Sequence, residues 1–224
     1  MAENENSRMN VTISDRTLAA WEVASVTLSF LFAEWMIQPF AANSRVISAA
    51  PLVLAFALML LSHQARGETA REIGWRVDNF LSALRLLILP MIGLGLLILL
   101  VGWLSHSLRS EKLQLWQWAA WLLIWGAVQQ YVLQGFINRR AQILWGRGAR
   151  SVLLVALVFA LLHLPNPWLS VATFIGGAVW AAVYQRIPNL PALALSHALM
   201  SLLLASSFPV SAINSLRVGI RYFG

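Results

Sequence analysis

Seven stretches of almost unbroken apolar residues, separated by short connections, constrain this chain more than any other feature it carries. They cover about 17–40, 46–62, 81–104, 113–137, 151–164, 168–185 and 190–207. A helix rises about 1.5 Å per residue, so roughly 20 residues cross a bilayer core. The runs at 46–62 and 151–164 are marginal by that measure and must borrow flanking residues or be sheltered by neighbours. The pattern predicts an all-α, polytopic transmembrane helical bundle of about seven spans, within a range of six to eight. A polar N-terminal tail at 1–16 precedes a single membrane domain over 17–224. The tail lacks the basic region and short apolar core of a cleavable signal.

Composition excludes the obvious alternatives. Of 224 residues, 59% are hydrophobic and 11% charged, against about a quarter charged in a soluble globule. An ordinary cytosolic enzyme is ruled out, and so is a disordered chain, which needs low hydrophobicity and high charge. With no cysteine, there is no disulfide, thiolate metal site or cysteine nucleophile. The net charge of +7 comes from 15 arginines and one lysine scattered between the apolar runs. Membrane lipids, not nucleic acid, are therefore the expected partners.

The basic residues also predict an orientation. One set of alternate connections holds Arg8, Arg16, Arg66, Arg71, Arg76, Arg139, Arg140, Arg147, Arg150 and Arg186, ten in all. The other holds Arg45, Arg109, Lys112, Arg217 and Arg221, which is five, and Arg85 lies inside a span. Positive charge accumulates on the cytoplasmic side, so the N-terminus is expected inside and the C-terminus outside. The composition suits a bacterial inner membrane. Trp103, Trp116 and Trp118 bracket the loop around Arg109 as an interfacial belt would, and the remaining tryptophans are assigned to packing and lipid contact. The run from Gly135 to Arg150 has four arginines and no acid. It reads as a retained cytoplasmic segment with a secondary contact to anionic lipid.

Polar side chains within a bilayer are costly and usually face the bundle interior. Three clusters qualify. Gln129, Gln130 and Gln134 lie in the fourth run, His163 and Asn166 close the fifth, and Asn189, His197 and Ser201 belong to the seventh. At about 1.5 Å per residue, Gln129, His163 and His197 stand roughly 12, 18 and 10 Å from the same boundary, so the clusters can meet. Singly, each side chain also fits a simple interhelical hydrogen bond, worth about 1 kcal/mol or less. His63 and His106 read as interfacial residues at span ends.

In the order and spacing of these clusters the chain resembles the CAAX protease and bacteriocin-processing family of intramembrane proteases. That family includes type II CAAX prenyl endopeptidases and lysostaphin-resistance-protein-like membrane proteins. Its second motif is intact as Phe159 to His163, followed by Asn166 and Pro167; Phe174, Gly176, Tyr184, Arg186, Asn189 and Leu190 also fit. The third motif keeps His197 and has Ser201 where asparagine is usual. The first, normally Glu-Glu-x-x-x-Arg-Gly, reads Gln129-Gln130-x-x-x-Gln134-Gly135. The likeness covers roughly 113–207.

The resemblance implies hydrolysis of a peptide bond in a membrane-associated or prenylated substrate, with Gln129, Gln130, Gln134, His163, His197 and Ser201 at the site. In the family the first glutamate activates water with the first histidine, while the second histidine and the asparagine hold the oxyanion. An amide has no proton affinity near neutral pH, so Gln129 cannot serve as the base. Ser201 is a shorter, weaker oxyanion donor than asparagine, in a role worth about 3 kcal/mol. Gln130 and Gln134 stand where an i,i+4 ion pair is expected, and they are predicted to bond across one turn instead. Glu22 and Glu34, in the first run, are the candidate replacement acids. Neither a metal nor another cofactor is expected, since only two histidines are well placed and catalytic zinc wants three protein ligands. Two functions stay open, an intramembrane endopeptidase and a non-catalytic binding or scaffold protein that holds a peptide or lipid tail. A transporter or assembly factor is a third.

Overall fold

The structure, a computed structural model, describes residues 14–41, 44–108 and 115–224. No strand occurs among them, and seven helical rods stand over the seven apolar runs. The fold is an all-α bundle. Helix α1 is Asp15–Phe32, capped by the Ser14 hydroxyl and continued by a π turn at Ala33–Ile37 and by Gln38–Ala41. Helix α2 is Arg45–Ala65, α3 is Phe80–Leu104, and α4 begins as Leu115–Gln130. The α4 rod widens into a π-helix at Tyr131–Asn138 and resumes as Arg139–Trp145. Helices α5 (Ala149–Leu161), α6 (Pro167–Arg186) and α7 (Leu190–Ser207) complete the rods. Among the described residues, four helices are long and apolar enough to cross a membrane: Asp15–Phe40, Phe80–Leu104, Pro167–Arg186 and Leu190–Ser207. The helices at Ala49–Ala65 and Ala149–Leu161 are apolar but shorter.

Packing follows chain order in part. Helix α5 lies on α6, α7 is flanked by α4 and α3, and α1 packs on α2 and on the Arg139–Trp145 end of α4. The surface is inverted relative to a water-soluble protein. Leu81, Leu89, Leu96, Leu97 and Leu100 of α3 are exposed, while Gln130, Gln134, Asn138 and Arg140 are fully buried. Contiguous apolar surface of that extent marks a lipid-facing wall, and polar groups turn inward because hydrocarbon offers them no partner. The protein is an integral membrane protein.

Short local devices hold the rods in register. Asn166 stands directly before Pro167 and Asn189 two residues before Pro191, each proline falling in the first turn, where a missing N–H costs nothing. Each asparagine side chain accepts a bond from the backbone of that turn. Both asparagines then tie a distant segment. Asn189 Nδ2 donates to the Arg76 carbonyl at 2.8 Å and to Asn79 Oδ1 at 2.6 Å. Asn166 Nδ2 donates to the Ile213 carbonyl at 2.9 Å. Gly74 ends the short helix Ala70–Ile73 at φ 104°, and its carbonyl accepts from Leu190 N at 2.8 Å. An added Cβ would meet Tyr184 and Asn189 at 3.2–3.3 Å, so a side chain is excluded by both conformation and space.

Connections at 66–79, 139–150 and 186–189 gather at one end of the bundle, as the alternation of basic segments requires. Arg8, Arg109 and Lys112 lie outside the described residues, as do the side chains of Arg45, Trp116 and Trp118.

Candidate functional site

A cavity of about 590 Å³ opens between α3, α4, α6 and α7. Gln129, His163, His197 and Ser201 all line it, so α4, the turn after α5 and α7 deliver polar groups to one hollow. The rest of its wall is mostly apolar, including Leu97, Trp125, Trp180 and Met200, with Ser105, Ser107 and Thr173 as further hydroxyls. The chain beyond α7 folds back to close one side through Phe208, Pro209, Ile213 and Leu216. The Asn166–Ile213 bond holds that closure in place, as does Gly219 N donating to the Leu164 carbonyl at 2.8 Å.

The two imidazoles meet across Phe159. Its ring lies edge-on to His163 at 4.7 Å and to His197 at 5.7 Å. His163 Nδ1 donates to the Phe159 carbonyl at 2.7 Å, one helical turn back. A carbonyl only accepts, so the neutral ring carries its proton on Nδ1 and leaves the Nε2 lone pair for the cavity. His197 stacks on the Trp180 indole at 4.6 Å and 23°. Trp180 is itself fixed, since Nε1 donates to Ser196 Oγ at 2.9 Å. Gln130 is fully buried and its Nε2 lies 3.2 Å from His197 Nδ1. With the amide donating there, neutral His197 presents Nε2–H. The pair then offers one acceptor and one donor.

Gly126 makes this geometry feasible. A Cβ there would stand 3.2 Å from the Ala194 carbonyl and 3.6 Å from His197 Cβ, so only glycine lets α4 approach α7 this closely.

Gln134 behaves differently from its sequence neighbours. It does not line the cavity, and no hydrogen bond joins it to Gln130. Its Oε1 accepts from Asn138 Nδ2 at 2.8 Å. The expected bond across one turn is replaced by this one further along the rod, inside the π-helical stretch Tyr131–Asn138, while Gln130 turns to His197. Asn138 extends this chain of amides to Gln185 at 3.0 Å and to the Ala181 carbonyl at 3.2 Å.

Neither candidate replacement acid lines the cavity. Glu22 belongs to a second polar cluster, toward the end where the arginine-bearing connections gather. Arg140, fully buried, brings Nε to 2.9 Å from Glu22 Oε2 and Nη2 to 2.9 Å from Glu68 Oε2. Arg66 adds a contact to Glu22 at 3.2 Å and Arg139 one to Glu68 at 2.6 Å. Ser62 bonds both Glu22 and Arg140. His63 is buried against Glu68 and Phe136, not interfacial. Burial pushes the Glu68 carboxyl up, but hydrogen bonds from His63, Arg140 and Arg139 outweigh it and hold the group well below the usual carboxylate range. Arg139 and Arg140 are thus helical and neutralised, not free charges of a loop. Glu34 sits in the π turn of α1 beside Gly219.

The sequence reading missed both this cluster and Trp180. The first had a signal, an acid inside an apolar run and a run of arginines closing another. The stacking on His197 had none, since it joins two helices. Among the described residues no three His, Cys, Asp or Glu side chains gather at one point.

Residues 111–203 match the family described as type II CAAX prenyl endopeptidase Rce1-like. Neither a curated protein nor a solved structure matches the chain.

Proposed function

We propose that this chain, whose residues 111–203 match the Rce1-like type II CAAX prenyl endopeptidase family, binds, without cleaving, a membrane-associated peptide or prenylated segment. One observation carries this reading. Gln129 lines the cavity with His163 and His197, at the place where the family resemblance puts the water-activating carboxylate. An amide there orients a ligand but takes no proton. The site nevertheless remains organised for binding. His163 accepts, His197 donates, and Gln129 and Ser201 do either, inside an apolar wall that suits an acyl or isoprenoid chain. Neutral hydrogen bonds in such a low-dielectric setting are strengthened, which favours a carbonyl-bearing ligand with a long apolar tail.

A second reading, slow hydrolysis, is favoured by the free lone pair on His163 Nε2, which faces the same hollow as the His197 donor. The two are separated with purified protein in micelles and a fluorogenic farnesylated peptide. Binding without turnover is the expected result, and Gln129→Glu/Gln130→Glu/Gln134→Arg tests whether turnover can be installed. Cleavage by the unaltered chain that disappears in His163→Ala would overturn the binding-only reading. The orientation proposed, N-terminus in the cytoplasm of a bacterial inner membrane, is tested by a reporter fused after Gly224. Activity of that fusion confined to the cytoplasm would refute it.

A further inference from the structure

The end of the bundle that gathers the arginine-rich connections is not uniformly charged. Nearly every described acid there is already engaged. Glu22 and Glu68 meet Arg66, Arg139 and Arg140. Asp78 holds Arg71 at 2.8 Å and also pairs with Arg76. Glu72 accepts from Thr69 N and Oγ1 at 2.8 Å, and Asp15 faces Arg66 at 3.8 Å.

Arg16, Arg147, Arg150 and Arg186 are left over, and the last three lie together. All three are exposed, and none pairs with an acid among the described residues. They share one corner, because Gly148 N donates to Gln185 Oε1 at 2.8 Å and so ties the turn before α5 to the end of α6. Two further features surround them. Trp145 is 49% exposed and stands two residues before Arg147, and indoles are enriched at membrane interfaces. Below Arg150, Leu153, Leu157 and Leu161 are 49%, 51% and 40% exposed and spaced four apart, so they form one outward stripe along α5.

From this arrangement we infer a binding site for an anionic phospholipid, with its phosphate among Arg147, Arg150 and Arg186 and an acyl chain along Leu153, Leu157 and Leu161. The guanidiniums match the planar oxygens of a phosphodiester. The leucine stripe distinguishes a lipid from free phosphate, since only a lipid has a tail to cover it.

The test is a thermal-shift titration of the full chain in neutral detergent with phosphatidylglycerol, phosphatidylcholine or inorganic phosphate. Phosphatidylglycerol should stabilise the protein at concentrations where the other two do nothing. Each arginine near the surface contributes about 1 kcal/mol, so R150Q should weaken the apparent affinity roughly fivefold and R147Q/R150Q/R186Q on the order of a hundredfold. R71Q, the same charge change on the same end of the bundle, should leave it intact. An equal shift from phosphatidylcholine or from phosphate would overturn the proposal, as would loss of the effect in R71Q or its retention in the triple variant. Should the triple variant not fold, R150Q alone decides, because an unchanged affinity there sinks the site.

Discussion

Replacing Arg140 with methionine is the sharpest test of how this bundle is held together. The guanidinium is wholly buried, contacts Glu22 and Glu68 at 2.9 Å each, donates to Ser62 Oγ at 2.8 Å and lies 4.6 Å above the Phe136 ring. Methionine restores most of the volume but none of the charge, leaving two carboxylates short of a partner. Breaking one side of a buried pair costs about 3–5 kcal/mol. The lower end applies here, about 3 kcal/mol, because Arg66 still reaches Glu22 and Arg139 still reaches Glu68. Arg139 is 24% exposed, so Arg139→Gln should cost about 1 kcal/mol. Removing charge from both sides, as in Arg140→Met/Glu22→Gln, should recover part of the loss. Denaturant titration of the native chain, Arg140→Met, Glu22→Gln and the double variant in one detergent gives the cycle directly, with Arg139→Gln measured alongside. If Arg140→Met costs under 1 kcal/mol, or no more than Arg139→Gln, the cluster is not what joins α1, α2 and α4.

The same cluster has a pH signature. Glu68 is held below its ordinary value of 4.5, so its contribution is complete above that value and declines as pH falls below it toward the depressed native value. The stability gap between the native chain and Glu68→Gln should narrow in melts taken below that pH, and a constant gap would exclude the linkage. Gly126→Val should push α7 away from α4, costing about 1–3 kcal/mol by overpacking and more than tenfold in farnesyl-peptide affinity by calorimetry. Gln130→Met removes the polar contact to His197 Nδ1 and should weaken the same binding by about 1–3 kcal/mol while the fold survives. Tyr184→Phe strips the hydroxyl that donates to the Ile73 carbonyl at 2.7 Å, with an expected loss of about 1–3 kcal/mol in denaturant titration.

Much of this was legible without coordinates. Hydrophobic period and run length determine helices in a bilayer, because each backbone polar group must find its partner within the segment. Helical rods accordingly stand on all seven runs, although α4 continues eight residues past its own to Trp145, and among the described residues four helices are long and apolar enough to span. Gln129, His163, His197 and Ser201 were recognisable as costly polar groups at a common depth, and they do line one cavity. Asn166 and Asn189 were visible in the same way, yet their work is capping and tethering. What escaped the sequence depends on relations between helices or on departures from regular pitch. Gln134 bonds Asn138 within the π-helix at Tyr131–Asn138 while Gln130 bonds His197, and no local pattern announces that division. The burial of Arg140 between Glu22 and Glu68, and the Trp180 stack that orients His197, join residues 118, 72 and 17 positions apart. Composition and periodicity encode the solvent a segment prefers. Which inward-facing groups then touch is decided by helix crossing and rotation, quantities that exist only once the rods have packed.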